Sequence, residues 1–264
     1  MEINKIYKGD CLEIMPMLLD KSIDLTVTSP PYDNLRTYNG NFAFNFEGIA
    51  KELFRITKDG GVIVWIIGDE TVNGSESGTS FKSALYFKEI GFNLHDTMIW
   101  NKGGFSAVGA LSVRYASVFE YMFVLSKGSP KTFNPLKDKK TKHGGIKCRG
   151  TIRQKDGSTK PMSKIITINE YGQRFNIWEQ PPHKQTGGHP APFPLQLVKD
   201  HILSWSNEND TVLDCFAGSG TTAIACIQTN RNYILIEKDQ EYYRIARKRI
   251  HAELKRPKRF FINE

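Results

Sequence analysis

Five residues near the N-terminus, Thr28-Ser29-Pro30-Pro31-Tyr32, set a hydroxyl, a rigid kinked backbone and an aromatic plane side by side. Two successive prolines fix φ and bias Ser29 towards an extended backbone, so the Pro30 carbonyl is held in one direction. A hydroxyl oxygen and a fixed carbonyl accept hydrogen bonds from a planar amino group, and Tyr32 can stack on the ring that carries it. An exocyclic amino nitrogen is a poor nucleophile because its lone pair is delocalised into the ring, and it turns cationic as it reacts. Acceptors held ready stabilise that developing charge, and alignment of the reacting atoms supplies much of the remainder.

A second chemical element stands far along the chain, Leu213-Asp214-Cys215-Phe216-Ala217-Gly218-Ser219-Gly220-Thr221-Thr222. Gly218 and Gly220 let the backbone turn tightly and approach a ligand, and a helix opening near Thr221 aims its free N–H groups and positive dipole end at an anion. That anion is a phosphate or a carboxylate. A Walker loop needs a Lys after its last glycine and Thr221 stands there, which disfavours a nucleotide triphosphate. Gly218 to Ala223 also fits GxGxxA, so a dinucleotide site stays open. Glu237 ends the next apolar run, Tyr233-Ile234-Leu235-Ile236, where an acid can accept from both hydroxyls of a ribose.

The elements that must position these residues alternate. The β-branched run 24–28 reads as a buried strand ending at the Pro pair, and 46–57 has helical spacing. Gly60-Gly61 then precedes Val62-Ile63-Val64-Trp65-Ile66-Ile67, a continuous apolar strand of the kind buried on both faces in a parallel sheet. A helix over 81–90 and strands at 95–100 and 119–125 follow; later come a helix at 194–205, a strand at 211–215, a helix at 221–228, a strand at 233–236 and a closing helix at 240–254. Alternation of this kind predicts a doubly wound, mostly parallel α/β sheet of the Rossmann-like type. Both chemical elements then lie at carboxyl ends of parallel strands and open into one crevice. A ligand with a ribose and a carboxylate would meet a flat amino-bearing substrate there. S-adenosylmethionine (SAM) has both groups and an electrophilic methyl, so the inferred reaction is methyl transfer to an amino nitrogen.

Composition agrees with a globular protein of one or two domains: 264 residues, 39% hydrophobic and 24% charged. The longest apolar run, 61–68, is far too short for a membrane span, and the N-terminus lacks a signal-peptide layout. The expected location is cytoplasmic. Cys11, Cys148, Cys215 and Cys226 have no CxxC pairing or metal spacing, so neither a disulfide nor zinc is expected. Net charge is +8, and it is concentrated. Residues 127–184 hold fourteen Lys/Arg against four Asp/Glu in polar, Gly-rich stretches with little periodicity. This segment reads as an insertion, either a nucleic-acid surface or a solvated loop.

The joint pattern resembles the amino-methylating DNA methyltransferases of the permuted β arrangement. The resemblance rests on TSPPY at 28–32, FAGSG at 216–220, Glu237 after the following strand, and His189-Pro190-Ala191-Pro192-Phe193-Pro194 ahead of the glycine loop. It covers most of the chain outside the insertion, and the order of catalytic motif, target-recognition region and SAM loop is that of the β arrangement. The resemblance implies a catalytic half at 1–126, a target-recognition insertion at 127–185 and a SAM-binding half at 186–264. It implies Ser29, Pro30, Pro31 and Tyr32 as catalytic residues. For SAM it implies Phe216, Gly218, Gly220 and Thr221 in the loop, Asp214 as the leading acid and Glu237 as the ribose ligand. Asp10-Cys11 would form a wall of the adenine pocket, and His189-Pro190 would meet the methionine end. Lys139, Lys140, Lys142, Lys147, Arg149 and Arg153 are the candidate DNA contacts. No metal is implied.

The target base follows from what stands at the first motif position. Family members with Ser there mostly modify cytosine N4, and those with Asp usually adenine N6, so Ser29 favours cytosine N4 with adenine N6 as the alternative. C5 methylation needs a cysteine nucleophile, commonly after a proline, and none of the four follows one. The expected substrate is double-stranded DNA read at a specific sequence, with the target nucleotide flipped out because its amino group is inaccessible in the duplex. A restriction-modification setting, with a cognate endonuclease, fits such an enzyme. Two other classes compete: a non-catalytic DNA-binding module on this fold, and an NAD-dependent oxidoreductase, which leaves the Pro pair without a job. The aromatics of the 36–45 loop, Tyr38, Phe42 and Phe44, are candidates to close over the base.

Overall fold

The computed structural model describes residues 1–31, 44–104, 112–182 and 194–256. These fall into two compact units, one formed by Met1–Asn134 with Asn176–Glu264 and the other by Pro135–Phe175. The larger unit is built on β1 (Lys5–Lys8), α1 (Cys11–Ile14), β2 (Ile23–Thr28), α2 (Phe46–Ile56), β3 (Thr57–Ile67), α3 (Thr79–Glu89), β4 (Asn93–Asn101) and β5 (Phe119–Ser126). After the second unit come β6 (Ile177–Glu179), α4 (Leu195–Trp205), β7 (Thr211–Asp214), α5 (Thr221–Gln228), β8 (Asn232–Glu237) and α6 (Gln240–Leu254). The eight strands form one sheet in the order β1-β8-β7-β2-β3-β5-β4-β6. Every neighbouring pair is parallel except the two that involve β5, which runs against both β3 and β4.

This topology positions the site. From β2 the chain winds through α2 to β3 on one side, and from β7 through α5 to β8 on the other, so winding reverses between β2 and β7. Such a switch point leaves a crevice at the carboxyl ends of the two strands, because the connections above them lead away in opposite directions. The central strands keep it in place: Leu25, Val27, Ile63, Val64, Trp65, Ile66, Val212, Leu213, Leu235 and Ile236 are all buried. An aromatic group of Phe46, Trp65 and Phe87 packs α2 and α3 on one face, with ring centroids 5.2–5.8 Å apart.

The smaller unit is paired in a way that its sequence does not announce. Its polar, Gly-rich sequence lacks periodicity, yet it is one irregular β-hairpin. Lys139–Lys140 pairs with Tyr171–Gly172, Lys147–Cys148 with Ile166–Thr167, and Thr151–Arg153 with Thr159–Pro161, each antiparallel and each nested inside the last. At the tip the Gly157 amide donates to the Gln154 carbonyl at 3.1 Å, with Gly157 at φ 84°. At the base the Arg174 amide donates to the Leu136 carbonyl at 2.8 Å, and Arg174 pairs with Asp138. The strands Thr151–Arg153 and Thr159–Pro161 are exposed throughout, so no buried face imposed an alternation that the sequence could display. The unit is narrower than the basic stretch 127–185, whose ends belong to the larger unit.

Candidate active site

At the end of β2, Thr28 is wholly buried, Ser29 half-buried, Pro30 buried and Pro31 half-buried. The Thr28 hydroxyl donates to Asp214 Oδ1 at 2.7 Å, joining the acceptor motif to the end of β7 across 186 residues of sequence. Asp214, 1% exposed, also accepts from the Phe216 amide at 3.1 Å and, on Oδ2, from the Thr222 hydroxyl at 2.6 Å. Burial pushes its carboxyl above the usual range, against these three donors. Its oxygens are therefore turned to the protein, tying strand, loop and helix together.

The glycine loop follows. Gly218 and Gly220 both adopt the left-handed region, at φ 49° and 79°. A Cβ on Gly220 would lie 3.0 Å from the Ala246 Cβ, so glycine is also needed for close packing of the loop on α6. Among the described residues no side chain caps the N-terminus of α5, and the amides of its first turn have no acceptor within the helix. Arg249, from α6, donates through Nη1 to the Ser219 carbonyl at 2.6 Å, the Ser219 hydroxyl at 2.5 Å and the Thr221 hydroxyl at 3.3 Å. A guanidinium and a helix N-terminus thus converge on one loop, an electropositive setting that suits a carboxylate. Phe216 is partly buried, its ring 5.8 Å from Phe44 and 6.3 Å from Trp65.

Glu237 ends β8 with its backbone paired to Lys8 of β1. Its Oε2 accepts from the Gly218 amide at 2.7 Å and its Oε1 from the Asp239 amide at 2.7 Å. Burial raises its pKa to about 7, more than the two amides lower it. A carboxylate has about four acceptor positions, so both oxygens keep capacity for ligand hydroxyls. Beside it, Asp10 caps α1 by accepting from the Leu12 amide at 2.9 Å and from Lys238 Nζ at 2.8 Å. Burial opposes ionisation of Asp10, but the Lys238 and Leu12 donors outweigh it and hold its pKa low. Cys11 is buried, which pushes its thiol to about 12, so it offers no reactive group.

The structure thus brings Ser29, Pro30 and Pro31 to the same end of the sheet as Asp214, Phe216, Gly218, Gly220 and Thr221, with Asp10, Cys11 and Glu237 at the neighbouring strand ends. Tyr32, His189 and Pro190 lie outside the described residues, as do Tyr38 and Phe42. Lys139, Lys140, Lys142, Lys147, Arg149 and Arg153 are all exposed on the hairpin. Sequence reasoning passed over Thr28, Thr222 and Arg249. Thr28 stood in the motif already, and its hydroxyl was legible; its partner was not. The donor set fits SAM: Glu237 for a ribose, the α5 N-terminus for a carboxylate. Among the described residues no group of three or more His, Cys, Asp or Glu could hold a metal, and no helix is long and apolar enough to cross a membrane.

Comparison with known proteins gives the family. The N6_N4 DNA methylase family matches residues 23–248. The chain is 52% identical over 240 residues to the orphan methyltransferase M.BamHII of Bacillus amyloliquefaciens, covering 88% of this chain and 89% of that protein. It is 27% identical over 266 residues to the Type II methyltransferase M1.MboII of Moraxella bovis, covering 92% and 94%. Among solved structures, the cytosine-N4-specific PvuII DNA methyltransferase has a similar fold, with a TM-score of 0.68 at 20% identity over 96% of this chain and 92% of that one. The M1.HpyAVI–SAM complex has a TM-score of 0.61 at 24% identity, covering 93% and 98%. With a switch-point crevice that joins a Ser-Pro-Pro segment to a glycine loop, and a family match over most of its length, this chain belongs to the N6/N4 DNA methylases, SAM-dependent enzymes that methylate amino groups of DNA bases.

Proposed function

We propose that this protein transfers the methyl group of SAM to the exocyclic N4 amino group of a cytosine flipped out of double-stranded DNA at a specific sequence. The observation that carries the reading is the 2.7 Å bond from Thr28 to Asp214, which unites an acceptor segment and a donor loop at one switch point. Ser29, where Asp would favour adenine, supports cytosine.

When bound, the donor supplies an electrophilic methyl whose sulfur keeps the bonding pair as the new N–C bond forms. The protein's part is to hold and to orient. Ser29 Oγ and the Pro30 carbonyl accept from the two amino N–H bonds, which turns the nitrogen lone pair out of conjugation and towards the methyl. They then stabilise the positive charge on nitrogen until one proton leaves to an acceptor oxygen or to water. Tyr32 stacks on the base. Glu237 would accept from the ribose, while the amides at Thr221 and Thr222 would meet the carboxylate. His189 and Pro190 would border the methionine end, and Asp10-Cys11 the adenine. The hairpin contacts DNA through Lys139, Lys140, Lys142, Lys147, Arg149 and Arg153, with phosphate contacts positioning the enzyme and base contacts selecting the site.

The test is product analysis. The protein is incubated with SAM and unmethylated genomic DNA, the DNA is digested to nucleosides, and the products are identified by mass spectrometry. N4-methylcytosine is the expected product. N6-methyladenine would overturn the base assignment and leave the mechanism; no methylated nucleoside, with SAM bound, would overturn the DNA reading.

A further inference from the structure

We propose that Thr28 is a positioning residue for methyl transfer: through Asp214 it holds the Ser29-Pro30-Pro31 segment in register with the donor loop. The proposal rests on the reading of the site given above and assigns it a part that neither half supplies alone.

The backbone ladder between β2 and β7 contains only Leu25–Val212 and Thr26–Leu213. The backbone pairing of the two strands ends there, and the acceptor segment begins three residues past the last pair. On its other side Thr28 is still paired, with Trp65 of β3. Towards the donor loop, a hydrogen bond from Thr28 Oγ1 to Asp214 Oδ1 at 2.7 Å spans the gap, with Cys215 Sγ 3.8 Å from the same hydroxyl. Asp214 passes the constraint on, because Phe216 and Thr222 donate to the same carboxylate. Thr28 and Asp214 are 0% and 1% exposed, so no water competes for the bond and its geometry is well determined. Ser29 follows Thr28 directly. A shift of Thr28 is therefore a shift of the acceptor oxygens relative to the methyl, and about 1 Å of misplacement can cost about a hundredfold in rate.

The experiment compares Thr28→Val and Thr28→Ser with wild-type enzyme in single-turnover methyl transfer at saturating SAM, with SAM affinity measured by calorimetry. Thr28→Val is expected to slow transfer by about tenfold to a hundredfold while SAM affinity stays within about threefold. Thr28→Ser, which keeps the hydroxyl, is expected to restore the rate. A wild-type rate in Thr28→Val would overturn the proposal, and so would parallel loss of rate and SAM affinity that Ser does not restore. If Thr28→Val does not fold, Thr28→Ala demands no added volume and carries the same expectations. Wild-type enzyme that binds SAM and methylates no DNA would sink the functional reading itself, a result distinct from an active wild type matched by Thr28→Val.

Discussion

Burial and function pull on the proton of Glu237 in opposite directions. Its pKa is raised to about 7 by burial, so the folded apo protein favours the protonated form at mildly acidic pH. The contribution of this group to stability is present below the ordinary carboxylate pKa and is lost as pH rises through 7. In the proposed site Glu237 accepts from ribose hydroxyls, which prefer the ionised acceptor, so SAM binding would run the other way. SAM affinity is expected to rise between pH 6 and pH 8, by up to about tenfold per unit below 7, and Glu237→Gln is expected to flatten that dependence; calorimetry across the pH range checks both. At this scale, Glu237 was legible as an acid ending a strand beside a glycine loop. Asp214 was legible only as an acid in the motif, because its inward role depends on a hydroxyl 186 residues away that no local pattern connects to it.

Elements hold the glycine loop from both ends. Gly218 is fixed to Glu237 of β8, and Ser219 and Thr221 are clamped by Arg249 of α6. Gly220→Ala forces a left-handed residue to carry a Cβ, at a cost of about 1–2 kcal/mol, and drives it against Ala246. A loss of stability of at least that size is expected, seen as a drop in Tm of roughly 2–8 °C, with weaker SAM binding from the displaced α5 N-terminus. A variant with unchanged Tm and SAM affinity would mean that the loop tolerates a different backbone. The alternation of elements was readable because β3 and β8 are continuous apolar runs and α2 carries a clear apolar stripe. The edge strands β1 and β6 were not, at four and three residues with charged or exposed ends. The antiparallel course of β5 was hidden as well, since a strand buried beside two neighbours reads alike in either direction.

For the whole molecule, charge separates the two units. The hairpin 135–175 holds eleven Lys/Arg against three Asp/Glu, a surplus equal to the net +8 of the entire chain. Its ends are joined by the Arg174–Leu136 backbone bond, so the unit can be replaced by a short Gly-containing turn between those residues. The shortened protein is expected to keep SAM affinity within about twofold, as read by calorimetry, and to lose measurable DNA binding at physiological salt. Substitution of Lys139, Lys140 and Lys142 together by Ala is expected to weaken DNA binding and to lower the slope of log K against log salt by about 0.9 for each phosphate contact removed. An unchanged slope would assign those lysines to solvent. Charge made this unit visible in the sequence; its hairpin architecture stayed hidden because its ladders are two or three residues long with both faces exposed.

The central claim is that one switch-point crevice divides the work, with the Ser29 side activating the acceptor and the Gly218–Glu237 side holding the donor. Single-turnover methyl transfer by Ser29→Ala at saturating SAM tests it most directly, since saturation removes any effect of donor affinity. The expected result is a rate at least about tenfold below wild type with the SAM concentration for half-saturation unchanged. A wild-type rate, or a loss recovered simply by adding more SAM, would contradict the account.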